Sequence, residues 1–379
     1  MLKKNQTIHP PIEKIAFALS HDFCDNGNTL AVRALGKFDN KEYLFVYKKH
    51  NGQFELADTF SPDWWHNNWQ CSIRGINNSI YFVAVDTDNR TGHVMCYRNS
   101  EFVTVFTVND CEKTLGMNDK GIAVNHNETV IAVSNIAVSQ HKDKTLRYDS
   151  KIILYRTETD CTSCVTTEHS IGNNRLWSFR SLAFANNHLI AGSPDLTFTA
   201  NTSDTMSREY VGNQSRVDVF DLDGNLLQQL SAKDASRGNF FGTEIETSLD
   251  GNTLIVMAPA QDDKKGCAYK FENLDNHWLQ TGKYCPRDIA VHTDIKYSLY
   301  GCCVNNNGSR FILSDGLYGA IYVYNNDQII HTHKEINNYS WFGFDIKTDE
   351  QFSQIAVVEK DVENNQESRG VLHLYSLNR

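Results

Sequence analysis

One unit in the second half of the chain sets a pattern that the rest repeats. Residues 241–247 (Phe-Gly-Thr-Glu-Ile-Glu-Thr) are followed by a turn at Leu249-Asp250-Gly251-Asn252, and then by apolar or alternating runs at 253–259, 266–271 and 277–280. Four short runs separated by turn residues are the signature of a four-stranded antiparallel meander. The same order returns at Phe17-Ala18 and at Phe342-Gly343. In all three copies, 11 positions separate the small residue after the Phe from the start of the second run (18 to 29, 242 to 253, 343 to 354). Weaker copies begin near Trp69, Lys120, Phe179 and Tyr300, which makes seven units spaced on average about 54 residues apart.

A period of that length suits four strands plus connections, and sheets repeated around an axis leave few open edges. The expected fold is therefore all-β: one seven-bladed β-propeller over residues 1–379, with blades starting near 12, 67, 115, 175, 237, 295 and 338. The last unit has only three runs before Arg379, while about ten residues precede the first. Residues 3–9 are expected to complete the ring as the outer strand of the last blade, ended by Pro10-Pro11. With 40% hydrophobic residues, 22 Gly and 6 Pro, the 379-residue chain can fill the cores this requires.

The stretch 231–242, through Asp250-Gly251-Asn252-Thr253 to Gly266, Phe271 and Trp278, resembles an FG-GAP repeat, the blade unit of integrin-α-like β-propellers. Trp341-Phe342-Gly343 opens a second such copy. The resemblance implies the fold and leaves the function open, because propellers host many activities. Integrin-like blades often carry calcium loops of Asp-x-Asp/Asn-x-Asp-Gly type. The corresponding segments here, 21–27, 248–251, 305–308 and 347–350, lack the alternating oxygen side chains a hard cation needs. The acidic run at Asp86-Thr87-Asp88-Asn89 lies between second and third strands and reads as a hairpin turn. No calcium site and no cofactor are expected.

A formal charge of −10, with 36 basic against 46 acidic residues and no basic block, argues against nucleic acid and anionic membranes as partners. Apolar runs stop far short of the roughly 20 residues that span a bilayer. The two lysines near the amino terminus precede no apolar h-region, so no secretory signal is read. The expected placement is inside a cell or virion, or outside by another export route. The 10 cysteines read as reduced, structural thiols; Cys161-x-x-Cys164 has no second pair at zinc-ribbon spacing.

No Gly-x-Ser-x-Gly elbow, phosphate loop or His-Glu-x-x-His occurs. His331-x-His333 puts two imidazoles on one face of a strand, but no third metal ligand lies nearby in sequence, so these read as outer-strand surface histidines. Trp69, Phe179, Phe241, Tyr300 and Phe342, which open inner strands, and Trp278 on an outer strand read as packing between blades. Trp64 and Trp65 instead lie in a blade-to-blade connection, where Trp is favoured at binding hot spots and as a sugar platform. The connection from second to third strand expands to 135–150 in the third unit and 194–214 in the fourth. Such loops share a face with the blade-to-blade connections, and long loops without structure of their own are usually functional or disordered. Candidate binding residues are Trp64, Trp65, His141, Arg147, Tyr148, Phe198, Arg208 and Tyr210. The expected function is a non-catalytic module that binds a protein partner through this loop face; a glycan-binding propeller, and behind it a hydrolase at the propeller mouth, are the alternatives.

Overall fold

A computed structural model describes residues 2–65, 72–109, 120–140, 146–159, 161–166, 179–194, 198–200, 206–208, 215–234, 239–261, 266–286, 299, 301–316, 318–335, 340–361 and 370–377. The chain forms seven four-stranded antiparallel sheets, of which the first six run from an inner to an outer strand in chain order. Blade 1 comprises Ile15–Cys24, Thr29–Gly36, Glu42–His50 and Gln53–Phe60, and blade 5 comprises Ile245–Thr247, Thr253–Ala258, Cys267–Leu274 and His277–Tyr284. In blade 7 the inner three strands, Ser340–Thr348, Gln354–Asp361 and Gly370–Leu377, are completed on the outside by Leu2–Ile8. The ring closes as the sequence predicts, one residue earlier than expected.

The 11-position spacing has a structural cause. Thr29, Thr253 and Gln354 are the first residues of their second strands. Ala18, Gly242 and Gly343 all take left-handed backbone, with φ of 56°, 87° and 83°. In blades 1 and 7 the ladder skips residues at this point, between Phe17 and Ser20 and between Phe342 and Ile346. The Phe-small pair thus marks a bulge within the inner strand of blades 1 and 7 and a turn just before that of blade 5, a backbone that Gly adopts without steric cost. At Gly242 a side chain would also meet the Arg216 carbonyl at 2.8 Å, so blade 4 sets a second demand for Gly.

Seven apolar clusters lie one between each pair of neighbouring blades. Middle strands are covered on both faces, which is why Ser79–Asp86 is buried throughout, whereas the outer strand His277–Tyr284 alternates buried and exposed positions. Phe179, Phe241, Phe342 and Trp278 are all buried between blades, as expected, and Trp69 and Tyr300 lie outside the described residues. The Asp86 turn is a hairpin in which the carboxylate accepts from the backbone N–H groups of Asp88 and Asn89.

The cysteine reading needs correction. Cys267 and Cys285 form a disulfide that ties the start of the third strand of blade 5 to the segment just after its fourth. Cys24, Cys96, Cys302 and Cys303 are buried free thiols. The two cysteines are 18 positions apart with unrelated neighbours, and only the return of the fourth strand brings them together.

Candidate functional site

Two places concentrate features beyond the framework: the face carrying the insertions and the central channel. Chain direction alternates along each blade, so second-to-third connections and blade-to-blade connections leave from one face, and first-to-second turns from the other.

On the insertion face, the second and third strands of blade 3, Val130–Gln140 and Leu146–Arg156, pair without a break from Val130 with Arg156 to Gln140 with Leu146. The inner strand Ile122–Val124 covers only 131–133, and the outer strand Cys161–Thr166 covers only 151–156. From Ile136 with Ser150 outwards the pair has no flanking strand among the described residues, and this two-stranded ribbon extends for about 17 Å at ~3.3 Å per residue. In blade 4 the insertion carries its own small hairpin, Phe198–Ala200 with Met206–Arg208. The insertions expected to be irregular loops therefore hold strands: in blade 3 they continue the ladder that the blade begins, and in blade 4 they form a separate two-stranded sheet.

Of the candidate residues, Arg147 and Tyr148 lie on the ribbon opposite Ser139 and Val138, and Phe198 pairs with Arg208 across the blade 4 hairpin. His141 and Tyr210 lie outside the described residues. Trp64 is half-buried, its ring 4.9 Å from that of His93 and 6.4 Å from that of Phe60. Trp65 departs from its expected role as an exposed contact. It is 0% exposed and packs on Phe60 and Phe82 in the cluster between blades 1 and 2. Two large rings in a polar loop needed cover, and the neighbouring blade supplies it.

The channel opens on the opposite face into a cavity of about 200 Å³. All seven blades line it from the ends of their inner strands, with Asp22, Arg74, Glu246, Cys303, Lys347 and Asp349 among the polar groups. Behind it lies an ionic chain. The Arg74 guanidinium is 3.0 Å from Glu246, and the Lys120 ammonium bridges Glu246 at 2.9 Å and Glu244 at 2.5 Å. Glu244 also accepts from the Cys302 backbone N–H at 3.1 Å. His21 stands 3.3 Å from Asp345.

These carboxylates respond differently to the same interior. Burial works against ionised Glu246, yet Lys120 and Arg74 together outweigh it and hold its carboxyl far below the usual range. For Glu244 burial prevails, reinforced by the charge of Asp345, and its proton affinity rises despite Lys120. Burial likewise pushes the Cys303 thiol up to about 12, so it is a poor nucleophile at neutral pH. Arg74, Lys120 and Glu246 are committed to one another, and Asp349 to the turn groups of Ser353 and Gln354. Lys347 also lines the cavity, and its charge helps to hold the Glu246 and Asp345 carboxyls below the usual range.

Sequence reasoning missed this cluster because its members come from separate blades, Arg74 from the second, Lys120 from the third and the two Glu from the fifth. The local signal was present at 244–246, where two Glu flank an Ile in a buried inner strand and so share the channel side.

No family model matches the chain, and no curated protein matches it. Its fold is that of solved propellers. The chain is similar over its full length to all of the β-propeller domain of Cps50 (Swd1) from Myceliophteria thermophila, with a TM-score of 0.61 and 9% identity. It is similar over its full length to 29% of Raptor from Chaetomium thermophilum, with a TM-score of 0.59 and 10% identity. A third likeness joins 96% of the chain to 98% of a KlHsv2 variant whose loop 6CD is replaced by a Gly-Ser linker, with a TM-score of 0.52 and 12% identity. Among the described residues no helix is long and apolar enough to cross a membrane.

Proposed function

We propose that this propeller is a non-catalytic module that binds a protein partner through the face carrying the blade 3 ribbon and the blade 4 hairpin. The observation that carries the reading is the ribbon from 136–140 to 146–150, paired on one side only. A two-stranded hairpin without flanking strands is marginally stable in water, and its edges present unpaired backbone donors and acceptors. A protein segment that adds a strand to such an edge satisfies them, which a glycan or small metabolite does not do. Burial of Trp65 further weakens the glycan reading by removing half of the aromatic platform. The paired state of Arg74, Lys120, Glu244 and Glu246 argues against an acid–base dyad in the channel. We also retain the FG-GAP resemblance as a proposal for the ancestry of the blades, supported by the left-handed Gly242 and Gly343 after their Phe residues.

The test compares affinity capture from the native source by the intact chain with capture by a variant whose segments 136–150 and 195–214 are cut to short turns. A specific partner retained by the intact chain and lost by the trimmed one, with circular dichroism and melting unchanged, supports the reading. Full capture by the trimmed chain moves the binding surface elsewhere.

A further inference from the structure

His331-x-His333 is followed two residues on by Glu335, and the fold brings two more donors to them from the next blade. His333 and Glu335 lie at the end of the outer strand of blade 6, facing blade 7. On the facing side, His373 sits opposite Val357 in the blade 7 ladder, and Glu359 is two residues on along the same face. One donor atom each from Glu335, Glu359 and His373 lies within 4.8 Å of the others. His333 Nε2 is 3.4 Å from Glu335 Oε1.

We propose that this seam between blades 6 and 7 is a zinc-class metal site, with Glu335, Glu359 and His373 as ligands and His333 within reach as the fourth. Zinc takes imidazole nitrogen and carboxylate oxygen at about 2.0–2.2 Å in a tetrahedron, whose donors stand about 3.4 Å apart. The Glu359–His373 pair, at 2.5 Å, must open by about an ångström and the wider separations within the set must close to reach that. The surrounding groups are those that orient metal ligands: Thr7 Oγ1 lies 3.0 Å from His373 Nδ1, leaving Nε2 turned to the Glu359 carboxylate at 2.5 Å, and the Tyr375 hydroxyl donates to Glu335. Lys4 stands 3.9 Å from Glu335 with a partly exposed side chain, and so balances the two carboxylates weakly. Mixed nitrogen and oxygen donors, few in number, select zinc over calcium, which wants 6 to 8 oxygens. Glu335 is partly exposed and gives the ion a way in. Since Thr7 belongs to the closing strand, a bound ion would join the outer strand of blade 6, two strands of blade 7 and, through that hydrogen bond, the amino-terminal strand.

The experiment uses the full chain without a histidine tag, stripped by a chelator and titrated with Zn²⁺ against a chromophoric indicator, with Co²⁺ absorption reporting coordination. One ion per chain, a higher melting temperature with zinc, and no response to Ca²⁺ or Mg²⁺ are expected. Glu359→Gln and His373→Gln should each weaken binding by more than tenfold, and Thr7→Val by about tenfold, as loss of an orienting partner does. His331→Gln, outside the set, should bind as the parent does. Glu335→Gln is the fallback should the more buried His373 variant not fold, and the Co²⁺ spectrum of the parent decides coordination without any variant. Absence of Zn²⁺ and Co²⁺ binding by the parent, or binding indifferent to both Glu335→Gln and Glu359→Gln, overturns the site and leaves an ordinary His–Glu ion pair.

Discussion

Leu2 and Leu377 face each other across the ladder that closes the ring, so the two ends of the described chain are held in one sheet. The closing strand does more than cap an edge. Leu2 is buried in the cluster between blades 6 and 7, and Ile8 in the one between blades 7 and 1. Gln6 adds a two-way link to blade 1, donating to the Phe54 carbonyl at 2.9 Å and accepting from its N–H at 2.8 Å.

Deleting residues 1–9 should therefore lower the melting temperature and favour aggregation. Loss of Leu2 and Ile8 burial alone amounts to about 3 to 6 kcal/mol, and the outer edge of Gly370–Leu377 becomes open to other chains. Thermal unfolding followed with size-exclusion chromatography checks this. An unchanged melting temperature and a monomeric elution would rule out a stabilising role for the strand.

The Cys267–Cys285 disulfide closes a loop of 18 positions. Chain-entropy arguments assign such a cross-link about 3 kcal/mol. Peptide mapping under non-reducing conditions should find the two cysteines linked, and a Cys267→Ala, Cys285→Ala double variant should lose stability of that order in urea. The buried thiols of Cys24, Cys302 and Cys303 should resist alkylation until the chain unfolds, since burial raises the proton affinity of each.

Ala18 occupies the place that Gly242 and Gly343 hold in blades 5 and 7, with the same left-handed backbone. For a residue with a β-carbon that conformation costs on the order of 1 kcal/mol. Ala18→Gly should thus stabilise the protein by up to about 1 kcal/mol, less what is lost to the greater freedom of glycine in the unfolded chain. Chemical denaturation of the variant against the parent reads the sign. A clear loss would mean that the packing of this buried methyl outweighs the relief of strain.

The contrast between these bulges and the channel explains what the sequence could convey. A Phe-small pair followed by a strand 11 positions later is a local signal, since backbone conformation and spacing are both written within one blade. Lys120 and Glu246, by contrast, meet across 126 positions, and Arg74 and Glu246 across 172. Each looks alone in its own segment, and only the ring sets them side by side. The seam histidines fall between the two cases: His331-x-His333 is visible, whereas Glu359 and His373 become neighbours only through the register of blade 7. Trp65 was misplaced for the same reason, because its cover, Phe82, comes from the next blade.

The channel chain gives the last prediction. Removing Lys120 leaves Glu244 and Glu246 buried with less compensation, so Lys120→Met should cost about 3 to 5 kcal/mol at neutral pH. The two carboxylates should then separate by pH. Glu246 binds its proton less readily in the fold than the usual 4.5, so its contribution is present above that pH and is lost as pH falls towards its folded value. Glu244 is shifted the other way, so its ionisation opposes folding, and the stability it contributes is present at low pH and lost as pH rises through its folded value. Glu246→Gln should accordingly be markedly destabilised at pH 7, with the gap to the parent narrowing but still open at pH 3. Glu244→Gln should cost less than Glu246→Gln at pH 7, because it removes a carboxylate that burial already penalises. Urea titrations of the three proteins at pH 7, 5 and 3 measure both differences. Equal losses for the two variants at every pH would show that the Lys120 bridge is shared evenly and that burial does not distinguish its partners.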